Sequence, residues 1–183
     1  MNNIRYFIGI PLNRAVRNQI NDFAEKKKMQ WAFAKWTHPQ DYHITLAFLG
    51  DLDMKQAEIV RQTLSTASLA CRPFELETDQ WGSFGLSQKP SILWAGVKRS
   101  TELDRLHKEV WKTIAPLGFE PERRPFRPHI TVARRSKGTT AQEIVEEQNY
   151  PKLSWQANHA VLFQTHFGRR PAYETVLTIP FQE

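Results

Sequence analysis

The stretch YHITLAFLG at residues 42–50 is echoed by PHITVARRS at residues 128–136. Both contain His-Ile-Thr, then an aliphatic residue, then alanine. Both read as strands, rich in β-branched and apolar residues, and the first is closed by Gly50-Asp51. On a strand, residues i and i+2 leave the same face. His43 and Thr45 therefore emerge side by side, as do His129 and Thr131. Ile44 and Leu46 point the other way, into a core, as do Ile130 and Val132. Two similar lobes that turn these strands toward one groove would gather two imidazoles and two hydroxyls around one small site.

Imidazoles exchange protons near neutral pH, and hydroxyls donate to anionic oxygens. The arrangement suits general acid-base cleavage at phosphorus. A lone histidine on a strand is ordinarily a satisfied core residue, and threonine favours strands in any case. The matched pair with identical neighbours is what points to function. A zinc site is the chemical competitor, with Asp41 as the third ligand, because threonine binds zinc poorly. Cys71 is the sole cysteine, which excludes an intramolecular disulfide and a cysteine-based zinc site. The expected site therefore holds no metal. His38, His107, His159 and His166 lack matched partners and read as surface or packing residues. Trp31 and Trp36 are candidates to flank a base, with core or lobe-interface packing as the plain alternative.

Outward from the two motifs, strands and helices interleave. Arg5 to Leu12 alternates as a strand, and Asn13 caps a helix over 14–30 with Val16, Ile20 and Phe23 on one stripe. Asp53 to Leu69 and Thr101 to Leu117 read as amphipathic helices, and Thr140 to Gln148 as a short one. Phe74 to Trp81, Ser91 to Val97, Ile130 to Ala133, Trp155 to Thr165 and Tyr173 to Ile179 read as strands. Several strands are adjacent in sequence, so the expected class is α+β, with largely antiparallel sheets and helices packed outside. No low-complexity linker divides residues 1–183, which are read as one compact, two-lobed domain.

The 183 residues include 25 Lys and Arg against 19 Asp and Glu, a formal charge of +6. Six Trp, four Tyr and eleven Phe imply a packed core and exclude disorder as the main state. No apolar run approaches the ~20 residues of a membrane helix. The opening MNNIRYFIGIPLNR lacks the pattern of a signal peptide, so a cytoplasmic location is expected. The surplus charge suggests a polyanionic partner. It clusters in Arg123, Arg124, Arg127, Arg134, Arg135 and Lys137, a phosphate-facing patch in which Arg127 is a candidate to bind substrate.

The two motifs resemble the paired His-x-Thr-x signatures of the two-histidine (2H) phosphoesterase superfamily. Within it, the sequence is similar to the RNA 2',3'-cyclic phosphodiesterases, also called the 2'-5' RNA ligase family. The likeness runs over nearly the whole chain: RYFIGIPL at 5–12, WTHPQDYHITLAFLG at 36–50 and RPFRPHITVAR at 124–134. The resemblance implies two pseudo-symmetric α+β lobes with the site in the groove between them, and a chemistry that needs no metal or organic cofactor. It implies His43 as general acid toward a leaving 3'-oxygen and His129 as general base toward water. Thr45 and Thr131 would hold phosphate oxygens, and Arg134 would add positive charge. On a regular pleat, however, Arg134 falls on the Ile130 face and Phe48 on the Ile44 face. Arg134 reaches the site only if its strand ends or bulges, and for Phe48 core packing and base stacking both stand.

The implied activity is hydrolysis of a terminal 2',3'-cyclic phosphate of RNA to a 2'-phosphate, with 2'-5' ligation as its reverse. The implied partner is RNA with a cyclic phosphate end, tRNA fragments included, and the protein is expected to act as a monomer. Two other functions compete: a cyclic phosphodiesterase for a small nucleotide or ADP-ribose derivative, and an RNA-binding protein without turnover. A matched histidine pair argues against the last, because simple phosphate binding favours Arg or Lys.

Overall fold

The computed structural model describes residues 4–67 and 69–181. Residues 1–3, the start of the opening stretch that lacks a signal-peptide pattern, and Ser68, inside the helix expected over 53–69, lie outside them. Nine strands form one sheet: β1 (Ile4–Pro11), β2 (Phe33–Trp36), β3 (His43–Leu52), β4 (Phe74–Leu86), β5 (Lys89–Val97), β6 (His129–Ser136), β7 (Ser154–Ala157), β8 (His159–Thr165) and β9 (Tyr173–Pro180). Their order is β7-β4-β5-β6-β3-β1-β8-β9, with β2 paired to β6. Every pairing is antiparallel. The eight strands of this path thus fall into two four-stranded halves, each ending centrally in one His-Ile-Thr strand, with β2 added beside β6. The α+β class and its paired halves match the expectation.

The halves meet at one registered pair, Ile44 opposite Ile130. Both side chains are completely buried. Beyond this pair β3 and β6 part, and β2 takes over the pairing with Ala133 to Ser136.

Four α-helices complete the fold: α1 (Arg14–Lys27), α2 (Met54–Thr66), α3 (Thr101–Ile114) and α4 (Ala141–Glu146). Each begins at a residue whose side chain accepts from a backbone N–H of the first turn: Asn13, Asp53, Ser100 and Thr140. Asp53 with Gln56, and Thr140 with Glu143, form reciprocal capping boxes. Val16, Ile20, Phe23 and Ala24 of α1 are buried, as are Leu103, Leu106, Val110, Trp111 and Ile114 of α3. These stripes at helical spacing dock the helices on the sheet.

Three differences from the sequence reading have physical causes. The stretch Trp155 to Thr165 is two strands, not one. Around Asn158 the chain crosses from one half to the other, so that β7 pairs with β4 and β8 with β1. The alternation breaks there, with Asn158 exposed and His159 half-buried in succession, and β8 then buries Ala160 to Phe163 without a period. Secondly, β2 is only four residues long, too short to show a period. Thirdly, β4 and β5 run on to a tight hairpin, Leu86 opposite Lys89, so residues 82–90, left outside the two expected strands, are mostly ladder.

The central contact makes a stability prediction. Truncating Ile44 or Ile130 to Ala should cost about 2–5 kcal/mol, and to Val about 0.5–1.5 kcal/mol, measured by urea unfolding. Because the two residues touch, the double Ala variant should depart from additivity.

Candidate active site

Antiparallel register about Ile44 and Ile130 sets Thr131 across from His43, and His129 across from Thr45. All four polar side chains are half-buried on the face opposite the two isoleucines. The fold therefore brings together the four residues singled out in the sequence.

Each imidazole is fixed in the same way. His43 Nδ1 lies 2.7 Å from the Asp41 carbonyl oxygen, and His129 Nδ1 lies 2.7 Å from the Arg127 carbonyl oxygen. A carbonyl only accepts, so in both rings Nδ1 carries the proton and Nε2 is left with its lone pair. His43 Nε2 is 3.0 Å from Thr45 Oγ1, whose hydroxyl donates to it in the neutral ring. Burial pushes the His43 imidazole down to about 4, with the positive charges of His129 and Arg134 adding to the effect. His129 is also pushed down, first by burial and then by Arg134, against the pull of its bond to the Arg127 carbonyl. Both rings are therefore neutral bases at neutral pH.

Aromatic walls cause that burial. Phe7, Phe163 and Tyr173 surround His43, with ring centroids 4.6, 5.6 and 5.2 Å away. Phe84 and Trp94 flank His129 at 5.0 and 6.2 Å. On each side the neighbouring strand carries an aromatic residue and then, two positions on, a glycine: Phe7 and Gly9 on β1, Trp94 and Gly96 on β5. Gly9 pairs with Thr45, and Gly96 with His129. A Cβ on Gly9 would meet the Ile44 carbonyl oxygen at 2.7 Å and the His43 ring at 3.3 Å. One on Gly96 would meet the Gln80 carbonyl oxygen at 2.4 Å and Trp94 at 3.2 Å. These glycines allow the close approach that seats the rings. The repeated aromatic-x-Gly is the signal in the sequence that points to these walls.

The parity difficulty with Arg134 and Phe48 is resolved by two matching bulges. On β3 the register with β1 jumps between Thr45 and Ala47, and on β6 the register with β5 jumps between Thr131 and Ala133. Leu46 and Ala47 are buried in succession, as are Val132 and Ala133. Each bulge inserts one residue and reverses the alternation. Phe48 and Arg134 thereby return to the histidine face. Antiparallel register carries them to opposite ends of the site. Arg134, half-buried, sits at the His43 end, where its charge acts on both imidazoles and on the Tyr173 phenol. Phe48, 47% exposed, sits at the His129 end. It is neither core-packed nor hidden, and it lines a cleft of about 730 Å³ that also contains His129, Phe84, Phe126, Arg124 and Arg127. The Arg127 side chain is exposed at this cleft, while its carbonyl fixes His129.

Asp41 is not a metal ligand in waiting but a backbone anchor. Its buried carboxylate accepts from the backbone N–H groups of Ala172 and Tyr173, each at 3.0 Å, while its carbonyl holds His43. It is committed to tying the start of β9 to the site. Among the described residues, no three His, Cys, Asp or Glu side chains gather as a metal site. His107 stacks on Phe126 at 4.0 Å and accepts from Trp111 Nε1 at 3.1 Å, so it packs beside the cleft. Arg123 and Arg135 are exposed, so the basic stretch divides into rim residues and one inward arginine, Arg134.

The model of the 2'-5' RNA ligase superfamily matches residues 14–169. The chain belongs to this superfamily. It is 34% identical over 182 residues to an RNA 2',3'-cyclic phosphodiesterase of Geobacillus stearothermophilus, covering 98% of this chain and 58% of that protein's length. It is 33% identical over 171 residues to the Bacillus subtilis protein of the same name, covering 93% of each. In fold it is similar to E. coli LigT in complex with 3'-AMP, with a TM-score of 0.76 over 99% of both chains at 22% identity. This likeness of fold extends through both halves of the sheet. No helix among the described residues is long and apolar enough to cross a membrane.

Nitrogen-resolved NMR titration of the imidazoles should find His43 and His129 neutral at pH 7, both protonated on Nδ1. His43 should titrate near 4 and His129 below the ordinary 6.5. A charged imidazolium at pH 7 in the ligand-free protein would contradict the burial argument.

Proposed function

We propose that this protein opens the terminal 2',3'-cyclic phosphate of RNA with water, leaving a 2'-phosphate, by paired histidine catalysis. The observation that carries the reading is the pair of Nδ1-locked imidazoles, each beside a threonine on one face of the central strands. Cyclic phosphodiesterase activity is also what the names of its relatives support. Two proton-transfer groups with fixed tautomers favour turnover over mere binding of the anion.

In the proposed reaction His129 Nε2 takes a proton from water as the water oxygen bonds to phosphorus. The phosphorus–O3' bond breaks in line, and His43 Nε2 delivers its proton to that oxygen. Thr45 and Thr131 donate to the non-bridging oxygens, and Arg134 offsets the growing charge. Assignment of His43 to the departing oxygen follows the family resemblance. His43 must arrive protonated, although it is neutral in the free protein. The anionic substrate supplies the bias, because a negative charge beside a buried imidazole favours its protonated form. Ligation is the same site run in reverse, with a 5'-hydroxyl in place of water. Water wins unless binding aligns the two ends.

Incubation with an RNA bearing a 2',3'-cyclic phosphate, followed by separation of the 2'- and 3'-phosphate products, tests this reading. The 2'-phosphate is expected. Replacing either His43 or His129 by Ala should lower the rate by about 10²–10⁴-fold with the fold retained. A 3'-phosphate product would reverse the assigned orientation, and a fully active, folded Ala variant would falsify the two-histidine mechanism.

The pH profile follows from the depressed imidazoles. The productive free protein carries one proton across the pair. Above the higher of the two values that form disappears, and both values lie below the ordinary 6.5. The kcat/KM profile should therefore peak on the acid side of about 6.5. The bound anion raises both groups, so the kcat profile should be displaced to higher pH. A kcat/KM maximum above about pH 8 would mean that another group is the acid.

A further inference from the structure

The two bulges leave residues of opposite character at the two ends of the site, aromatic Phe48 at one and cationic Arg134 at the other. The cationic end continues outward. Lys35 of β2 is the direct cross-strand partner of Arg134. Directly opposed residues on antiparallel strands leave the same face with Cα atoms about 4.5–5.5 Å apart. Like charges in that relation are destabilising on their own. No acid relieves them: among the described residues neither Lys35 nor Arg134 makes an ion pair. A third cation joins them. Arg170 Nη2 donates to the carbonyl oxygen of Trp36, the residue after Lys35, at 3.3 Å. Arg170 also makes no ion pair among the described residues, and both it and Lys35 are exposed. One inward arginine thus leads into two outward cations. Among the described residues no carboxylate forms an ion pair with any of the three, the buried Asp41 carboxylate nearby being bound to the Ala172 and Tyr173 N–H groups.

The direction of this row matters. Arg134 and Tyr173 lie at the His43 end, the end assigned to the departing 3'-oxygen and hence to the ribose. The nucleotide bearing the cyclic phosphate is linked to the rest of its chain through its own 5'-oxygen. We infer that Lys35 and Arg170 bind the internucleotide phosphate immediately 5' of the terminal nucleotide, and so select a polynucleotide end over a free nucleoside cyclic phosphate. This rests on the function proposed above and makes it more specific. The cleft with Phe48 and Arg127 lies at the other end, beside the base His129, so the two basic surfaces have different occupants. The row at the His43 end holds the strand being hydrolysed.

The test compares three substrates differing in that one phosphate: a nucleoside 2',3'-cyclic phosphate, the same compound with a 5'-phosphate, and a short RNA ending in it. The wild-type protein should show a higher kcat/KM for the second and third than for the first, carried mainly by KM. Lys35→Ala with Arg170→Ala should remove about tenfold or more of that preference. Turnover of the plain nucleoside cyclic phosphate should stay within about twofold, which also reports that the variant is folded. The salt dependence of oligonucleotide binding should flatten by about 0.7 in log–log slope for each phosphate left without its cation. Equal loss on all three substrates, or an unchanged preference in the double variant, would overturn the inference and leave the two-histidine reaction standing. Failure of the wild-type protein to turn over any of the three would instead overturn the proposed function itself. Lys35→Glu gives a second check, because reversal should penalise the 5'-phosphorylated substrates more than neutralisation does.

Discussion

One contact sets the geometry of the molecule: Ile44 against Ile130, where two half-sheets share a single registered pair. Its effect comes from alternation. When two buried isoleucines meet on the core side, their neighbours at ±1 must meet on the other side. Those neighbours are two histidines and two threonines. The hydrophobic demand that both isoleucines leave water is worth roughly 1.5–3 kcal/mol for each fully buried side chain. The same burial that joins the halves therefore assembles the site. A slip of one residue on either strand would expose an isoleucine and bury a histidine, so the register is held from both faces.

The bulges add what alternation alone cannot. A perfect pleat would place only every second residue at the groove and give two nearly identical ends. One inserted residue after each threonine, with Leu46-Ala47 and Val132-Ala133 buried in succession, rotates the next side chain back to the site. The backbone device is duplicated, but the residue it delivers is not. A phenyl ring comes to one end and a guanidinium to the other. A symmetric frame thus acquires a direction, which the proposed reaction, with its entering and leaving oxygens, requires.

Much of this is legible in the sequence, because the decisive residues are local. His-Ile-Thr on a strand fixes which side chains share a face without any tertiary information, and repetition of the triplet names its partner. Helix caps at Asn13, Asp53, Ser100 and Thr140 are local as well. What stays hidden depends on pairing between distant segments. The bulges are defined by a partner strand, so the parity of Arg134 cannot be read from β6 alone. The crossing at Asn158 is defined by a change of partner strand, from β4 to β1, which no residue of the stretch announces by itself. Asp41 offers a carboxylate that suits a metal as well as a backbone anchor. Only the arrival of Ala172 and Tyr173 from the far end of the chain decides between them. Lys35 is silent in the sequence for the same reason, since its meaning comes from Arg134 across the ladder.

The aromatic walls explain why neutral, hard-to-protonate imidazoles suit the proposed chemistry. Phe7, Phe163 and Tyr173 shield much of the His43 ring from water, and that burial disfavours its charged form. In the same low-dielectric surroundings an approaching phosphate anion interacts more strongly with a proton on Nε2 than it would in water. Burial therefore couples protonation to binding: the free site resists the proton and the occupied site attracts it. Arg134 sharpens the coupling. Its charge opposes imidazolium formation while the groove is empty, and a bound anion offsets that charge. Thr45 fits the same logic, since its hydroxyl donates to Nε2 in the neutral ring and is free to turn toward a phosphate oxygen once Nε2 is protonated. In the proposed reaction the depressed basicity of the pair is thus the resting half of a cycle in which the substrate's own charge completes the acid.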